Sequence, residues 1–282
     1  MCWRRATWWP LWAATRPSAV STRTEGVREQ ITSRHNALIV RLRKLSSSRA
    51  RRREEGVFLC EGPKLVGEAV KWGAGVETLL VSRPDLVLPD LPAGTRVVEV
   101  PEDVLRSVSD VETPQGVLAV CALPDLRPPQ ALRPGRYLIL DGIQDPGNLG
   151  TIWRTADAFG ASGLLLVHNC ADPFIAKTVR ATMGAAFRLP VWETTLEEAA
   201  RLLEQAGVPL YTTSLGPGTV DIRALDLTRA AVVIGSEGRG VSPEALALCR
   251  QTFRIPMESR CESLNAAVAA AVTLWEMARQ DG

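Results

Sequence analysis

The sequence predicts a two-domain α/β protein, and three observations carry that prediction. The chain has 282 residues, enough for two separate cores. From residue 136 onward, short apolar runs alternate with stretches of helical spacing. Strands are expected at 136–141, 163–168, 188–193, 208–213, 230–235 and 251–256, and helices at about 148–159, 173–184, 196–206, 242–250 and 263–280. Runs such as AAVVIG (230–235) have no polar face. A strand of that kind is buried on both sides, so the sheet is mainly parallel with helices on each face.

The elements of the smaller domain, 27–124, follow in order. HNALIVRLRKL has helical spacing, with Leu38, Ile39, Leu42 and Leu45 on one face. VFLCEG reads as a strand, and PKLVGEAVKWG as a helix opened by Pro63 and ended by Gly73. ETLLVS and RVVEV are strands, PEDVLRSVS is a helix whose early acids suit the helix dipole, and VLAVCAL is a last strand. The turn-rich DVETPQG before it is placed to touch a ligand. Proline-rich residues 125–135 form a stiff linker to the larger domain, 136–282.

Residues 1–26 stand apart. Four of the eight tryptophans lie in the first 12 positions, and the first acidic residue is Glu25. The segment is read as a disordered leader or extension outside the fold. Its Arg, Ser and Thr without acids also fit an organelle transit peptide, which would make a mitochondrial location the alternative to the expected cytoplasmic one.

Composition excludes several classes. The chain is 46% hydrophobic and 23% charged, as a folded soluble protein is. No apolar run reaches about 18 residues, so no membrane partner is expected. The six cysteines form no C-x-x-C pair and read as reduced thiols. His35 and His168 are the only histidines. His168 with Cys170 offers two ligands at most, and a structural role is the favoured reading, so no metal is expected. There is no G-x-S-x-G nucleophile turn. Net charge is +2, yet residues 1–55 hold 13 Lys/Arg against 4 Asp/Glu, leaving −7 on the remainder. That asymmetry fits either a polyanionic partner or a solvated basic tail.

Three polar turns each follow a predicted strand: DPGN (145–148), GSEGRGVSPE (235–244) and PMESRCESLN (256–265). Open parallel sheets bind ligands outside the carboxyl ends of their strands, so the turns are expected to meet in one pocket with Ser214 and Leu215 as a fourth wall. Gly235, Gly238 and Gly240 suit a tight turn, but no G-K-[ST] follows and the run is not a Walker loop. Ser242, Ser263 and Asn148 each read as plausible helix N-caps. Arg154 is the lone cation of an otherwise apolar or small TIWRTADAFG helix and wants an anion. A nucleotide-dependent oxidoreductase is disfavoured, because no G-x-G-x-x-G follows the first strand of either domain.

NLGTIWRTADAFG, VVIGSEGRGVSPE and RIPMESRCESLNAAVAAAV resemble, in order, the three motifs of SpoU/TrmH-type RNA ribose 2′-O-methyltransferases (the SPOUT superfamily), over about 135–280. Residues 30–123 look, more loosely, like the substrate-binding domain of rRNA-directed members, a small α/β module similar to ribosomal RNA-binding domains. The resemblance implies a trefoil knot, an exceptional topology, S-adenosylmethionine bound in a bent pose, and a homodimer with its sites near the subunit interface. It implies methylation of a ribose 2′-hydroxyl, with large-subunit rRNA favoured over tRNA, over resistance-type rRNA modification and over a non-catalytic assembly role.

Carried over residue by residue, Arg154 is the catalytic arginine. Asn148 would position Arg154 or the ribose, and Glu237 would orient Arg154 or the reacting hydroxyl. A guanidinium stays charged, so Arg154 is expected to steady the developing alkoxide rather than act as a base. Ser214, Leu215, Gly216, Ile234, Gly235, Gly238, Ile255, Met257, Ser263, Leu264 and Asn265 are the expected cofactor contacts. Arg34, Arg41, Arg43, Lys44, Arg49, Arg51, Arg52 and Arg53 are expected along RNA phosphates, giving salt-sensitive affinity and recognition of shape. One departure stands out: Ser259 occupies a position where the family has Gly. A left-handed backbone there would cost serine about 1 kcal/mol.

Overall fold

The computed structural model describes residues 29–214, 216–261 and 263–280. The predicted leader and Leu215 lie outside them. The chain forms two compact units that divide at Pro124 and Asp125, except that Phe174–Ala176 groups with the first.

The first unit runs β1 (Glu29–Gln30), α1 (Ala37–Ser47), α2 (Arg49–Glu55), β2 (Val57–Glu61), α3 (Pro63–Lys71), β3 (Val76–Val81), β4 (Arg96–Glu99), α4 (Glu102–Arg106) and β5 (Val117–Ala122). Its sheet has the order β1-β4-β3-β5-β2, with β5 antiparallel to both neighbours and the other pairs parallel. Asn36 caps α1 by accepting from Leu38 N. The predicted stripe Leu38, Ile39, Leu42 and Leu45 is buried in a core with Leu59, Leu80, Val98 and Val120. Each such side chain contributes about 2 kcal/mol of burial. Pro63 opens α3 as expected.

The second unit runs β6 (Tyr137–Asp141), α5 (Pro146–Ala158), β7 (Gly163–Val167), α6 (Ala176–Ala181), β8 (Val191–Glu193), α7 (Leu196–Gln205), β9 (Leu210–Thr213), β10 (Val220–Asp221), β11 (Ala231–Gly235), α8 (Pro243–Leu248), β12 (Gln251–Arg254) and α9 (Ala266–Arg279). The sheet order is β10-β12-β9-β11-β6-β7-β8 and every pairing is parallel. The short β10 was not foreseen. Chain order reverses at β6: later strands add as β7 and β8 on one side, then as β11 and its neighbours on the other. Ligand sites form at such reversals.

Boundaries moved where capping chemistry was misassigned. Asp145, not Asn148, caps α5: its carboxylate accepts from Asn148 N at 2.7 Å, and Pro146 fills the first helical position. Asn265, not Ser263, caps α9, accepting from Ala267 N at 2.9 Å and Val268 N at 3.3 Å. Helix α6 is shorter than 173–184 because Met183 (φ 51°) and Gly184 (φ 96°) turn left-handed. The 3-10 turn Ala185–Phe187 then delays β8 to Val191. Ser259 is not left-handed: among the described residues only His168, Asn169 and Met183 are non-glycines with positive φ. The expected strain at Ser259 is therefore absent. No helix of the described residues is long and apolar enough to cross a membrane.

Candidate active site

The three turns meet, as their positions after β6, β11 and β12 predicted. Asn148 Nδ2 donates to Glu237 Oε1 at 2.7 Å. Asn265 Nδ2 donates to the same oxygen and, at 3.3 Å, to Asn148 Oδ1. One residue from each motif thus joins a single polar node. A carboxylate only accepts, so two amides on one oxygen fix Glu237 while its other oxygen has no protein donor among the described residues.

The turn carrying Glu237 is closed by Ser236 N to Gly240 O at 3.1 Å and Gly240 N to Ser236 O at 2.8 Å. Gly235 permits this closure. A Cβ there would lie 2.2–2.3 Å from Gly240 C and O and Val241 N, all backbone atoms.

Two cavities flank the node. The first, about 590 Å³, has apolar walls of Ile234, Phe253, Ile255, Met257 and Leu264. Ser214, Gly235, Ser263 and Asn265 also line it, so eight expected cofactor contacts come together. Two do not. Gly216 is exposed and donates its N–H to Ser214 Oγ at 3.0 Å without lining the cavity, and Gly238 lines the other cavity. Leu215 is outside the described residues. Phe253 and Leu246 line the cavity without having been anticipated. Phe253 was legible only as one apolar residue of β12. A large apolar slot, hydroxyls at Ser214 and Ser263, and one carboxylate beside it fit an adenine nucleoside that carries a positively charged sulfur.

The second cavity, about 550 Å³, lies on the other side of the node and includes Asp141, Asp145, His168, Glu237 and Glu244. Asp141 is buried, and its oxygens are both engaged: Oδ1 with His168 Nδ1 at 2.7 Å, Oδ2 with Ser242 N at 2.8 Å. This pair was not foreseen. Cys170 takes no part: its buried Sγ donates to Leu140 O at 3.1 Å, and burial pushes its pKa up to about 11. Among the described residues no three His, Cys, Asp or Glu side chains gather as a metal site.

Arg154 is exposed on α5, lines neither cavity, and has no ion-pair or hydrogen-bond partner among the described residues. Within one chain neither Asn148 nor Glu237 bonds to it, so of the two roles expected of each, the one toward Arg154 is not made within the chain. The residues facing the node instead hold one another.

The basic stretch divides by environment. Arg52 is buried, and its guanidinium donates to Leu45 O and Ser46 O, the open carbonyls at the end of α1. It closes a helix end and is withdrawn from RNA, which corrects its assignment as a phosphate contact. Arg41 is held by Glu77 at 2.7 Å and Glu55 at 2.6 Å, and the hydrogen bond to Glu77 raises its pKa. Arg51 pairs with Glu54 and Glu55, and Arg34 with Asp103 at 2.8 Å. Arg53 is half-buried, while Arg43, Lys44 and Arg49 are exposed.

Comparison with known proteins gives a consistent picture. Residues 135–275 match the SpoU rRNA Methylase family, and residues 36–119 match an MRM3-like substrate binding domain. The chain is 34% identical to the 23S rRNA (guanosine(2553)-2′-O)-methyltransferase RlmP of Bacillus subtilis, over 88% of this chain and 99% of that protein. It is 32% identical to the human mitochondrial rRNA methyltransferase 3, over 83% of this chain and 70% of that one. An AdoMet-bound rRNA methyltransferase of Sinorhizobium meliloti superimposes with a TM-score of 0.80 at 35% identity, covering 90% of this chain and 98% of the other. The AdoMet complex of AviRb from Streptomyces viridochromogenes gives 0.76 at 30% identity, covering 87% and 98%.

Proposed function

The chain belongs to the SpoU rRNA methylase family, and on that premise we propose how its own residues carry out the reaction. It is an S-adenosylmethionine-dependent enzyme that methylates ribose 2′-hydroxyls of large-subunit rRNA. The bound cofactor supplies an activated methyl group on a sulfonium. The protein supplies alignment of oxygen, carbon and sulfur, and easier loss of the hydroxyl proton.

The observation that carries the assignment of residues is the node joining all three motifs at Glu237. In this reading the apolar cavity holds the cofactor and the free oxygen of Glu237 orients the reacting hydroxyl. Asn148 and Asn265 hold Glu237 in place. Arg154 neutralises the developing alkoxide as a permanent cation. Because Arg154 stands outside the cavities of its own chain, it is assigned to a site completed at a homodimer interface. Support comes from the neighbouring helix α9, where Val268 and Trp275 are exposed and Trp275 meets Phe159 edge-on at 5.8 Å. The trefoil knot belongs to the same proposal. So does a first unit that grips rRNA through Arg43, Lys44 and Arg49, with action in whichever compartment, cytoplasm or mitochondrion, houses the target ribosome.

The test is methyl transfer from labelled cofactor to unmodified large-subunit rRNA, followed by mapping of 2′-O-methyl sites. Arg154→Ala should lose about 100-fold or more in kcat, with cofactor affinity retained. Arg154→Lys should recover part of the loss by keeping the charge. Near-full turnover by Arg154→Ala would sink the assignment.

A further inference from the structure

The second cavity asks for an occupant. It shares the turn Ser236–Val241 and the Glu237 node with the cofactor cavity, so a group seated in it approaches the methyl donor from across the node. Its walls carry Asp141, Asp145, Glu237 and Glu244 against Arg239 and His168. Lys177 offsets Asp145 at 3.6 Å, and Glu197 of α7 lies within electrostatic reach of His168. This wall repels phosphate. It suits a neutral group rich in hydroxyl and N–H donors.

His168 has one defined capability there. Oδ2 of Asp141 is taken by Ser242 N, and Oδ1 meets His168 Nδ1 at 2.7 Å. Asp141 is thereby placed to accept the Nδ1 proton, and in the tautomer that this contact selects Nε2 is a bare acceptor. The ring is presented by an unusual backbone: His168 and Asn169 are both left-handed, at φ 52° and 58°. Such conformations are costly for non-glycines and concentrate at functional sites. The side chain is 45% exposed although its Asp141 partner is only 5% exposed, so a buried anchor holds an accessible acceptor.

We propose that this cavity receives the target nucleoside of the RNA, sugar and base edge without phosphate, and that His168 Nε2 accepts a hydrogen bond from it. The inference rests on the methyltransferase reading and adds a substrate-positioning residue to it.

Two amide variants separate this role from a merely structural one. His168→Asn places an N–H donor where Nδ1 was, tolerates the left-handed backbone, and lacks any atom at Nε2. His168→Gln carries an acceptor to the Nε2 position but gives up the Asp141 bond. Steady-state kinetics are measured on an unmethylated transcript of large-subunit rRNA, with cofactor affinity measured separately by calorimetry. His168→Asn should raise KM for RNA about five- to tenfold, the scale of one lost hydrogen bond, with the cofactor Kd within about twofold of wild type. His168→Gln should recover at least half of that loss. Wild-type KM in His168→Asn, or His168→Gln no better than His168→Asn, overturns the proposal. So does an equal loss of cofactor affinity, since that marks a role confined to the Ser242 turn. Failure of the wild-type protein to methylate ribose at all would sink the parent reading and this inference with it.

Discussion

Replacing Gly235 by alanine probes how closely the glycine-rich turn folds back on its own strand. A Cβ at this position meets Gly240 C at 2.2 Å, Gly240 O at 2.3 Å and Val241 N at 2.3 Å. All three are backbone atoms, so no side-chain rotation relieves the overlap and the turn must retreat by about 1 Å to restore ordinary contact. That displacement breaks the paired hydrogen bonds of Ser236 and Gly240, worth about 1 kcal/mol each. Overpacking adds about 1 kcal/mol or more. The sum is about 3 kcal/mol, which for a unit of this size lowers Tm by about 9 °C. The same turn carries Glu237, so the displacement should also weaken cofactor binding and turnover by about 100-fold. Differential scanning calorimetry and titration calorimetry with S-adenosylmethionine measure both. Gly238→Ala is the internal control, since nothing lies within 4 Å of its Cβ. It should leave cofactor affinity within about twofold. A Gly235→Ala protein that melts within about 2 °C of wild type and binds the cofactor normally would refute the close-approach argument.

Two other perturbations test assignments away from the node. Arg52→Ala removes the donor that closes α1 at Leu45 and Ser46, and should cost about 2 kcal/mol in urea unfolding while leaving RNA affinity at wild-type level in the folded protein; lost RNA binding at unchanged stability would return Arg52 to the phosphate-contact group. The Cys170 thiol, held protonated by burial to about pH 11 against an ordinary value of 9.0, contributes stability that is complete below about pH 9 and is lost as pH climbs toward 11. That contribution is about 3 kcal/mol in full, so urea midpoints taken at pH 8 and pH 10.5 should fall further for wild type than for Cys170→Ala, and equal falls would show that ionisation of this thiol is not linked to folding.

What the sequence revealed and what it hid follow from the range of each interaction. The stripe Leu38, Ile39, Leu42 and Leu45 is local, and its helical spacing predicted its burial. The convergence of three turns was legible because unbroken apolar strands imply a parallel sheet, and a parallel sheet puts every strand exit on the same edge. Cap assignments failed where two candidates lay close together: Asp145 outcompeted Asn148, and Asn265 outcompeted Ser263. Arg52 was hidden because RARRREE contains no cue to which arginine turns toward the preceding helix end. The Asp141–His168 pair was hidden because its partners are 27 residues apart and meet only through strand register, in which Asp141 lies opposite Val167.

Register explains the node as well. Gly235 of β11 lies opposite Asp141 of β6, so the first and second turns leave the sheet side by side, about 4.8 Å apart. That adjacency brings Asn148 to Glu237 although 89 residues separate them. The third turn starts farther away, because β9 lies between β12 and β11. Ser214 N, just beyond β9, donates to Phe253 O at 2.9 Å. Ile255 and Met257 after β12, Ser263, Leu264 and Asn265 before α9, and Ser214 after β9 line the apolar cavity proposed for the cofactor. The node residues are solvent-accessible, and accessible polar contacts contribute little to folding, whereas β6, β9 and β11 are buried almost throughout. Stability therefore resides in the strand pairing and chemistry in the exits. On the proposed assignment, substitutions at Asn148 or Glu237 should act on the reaction while the sheet that brings them together stays intact, whereas Asn265 also caps α9.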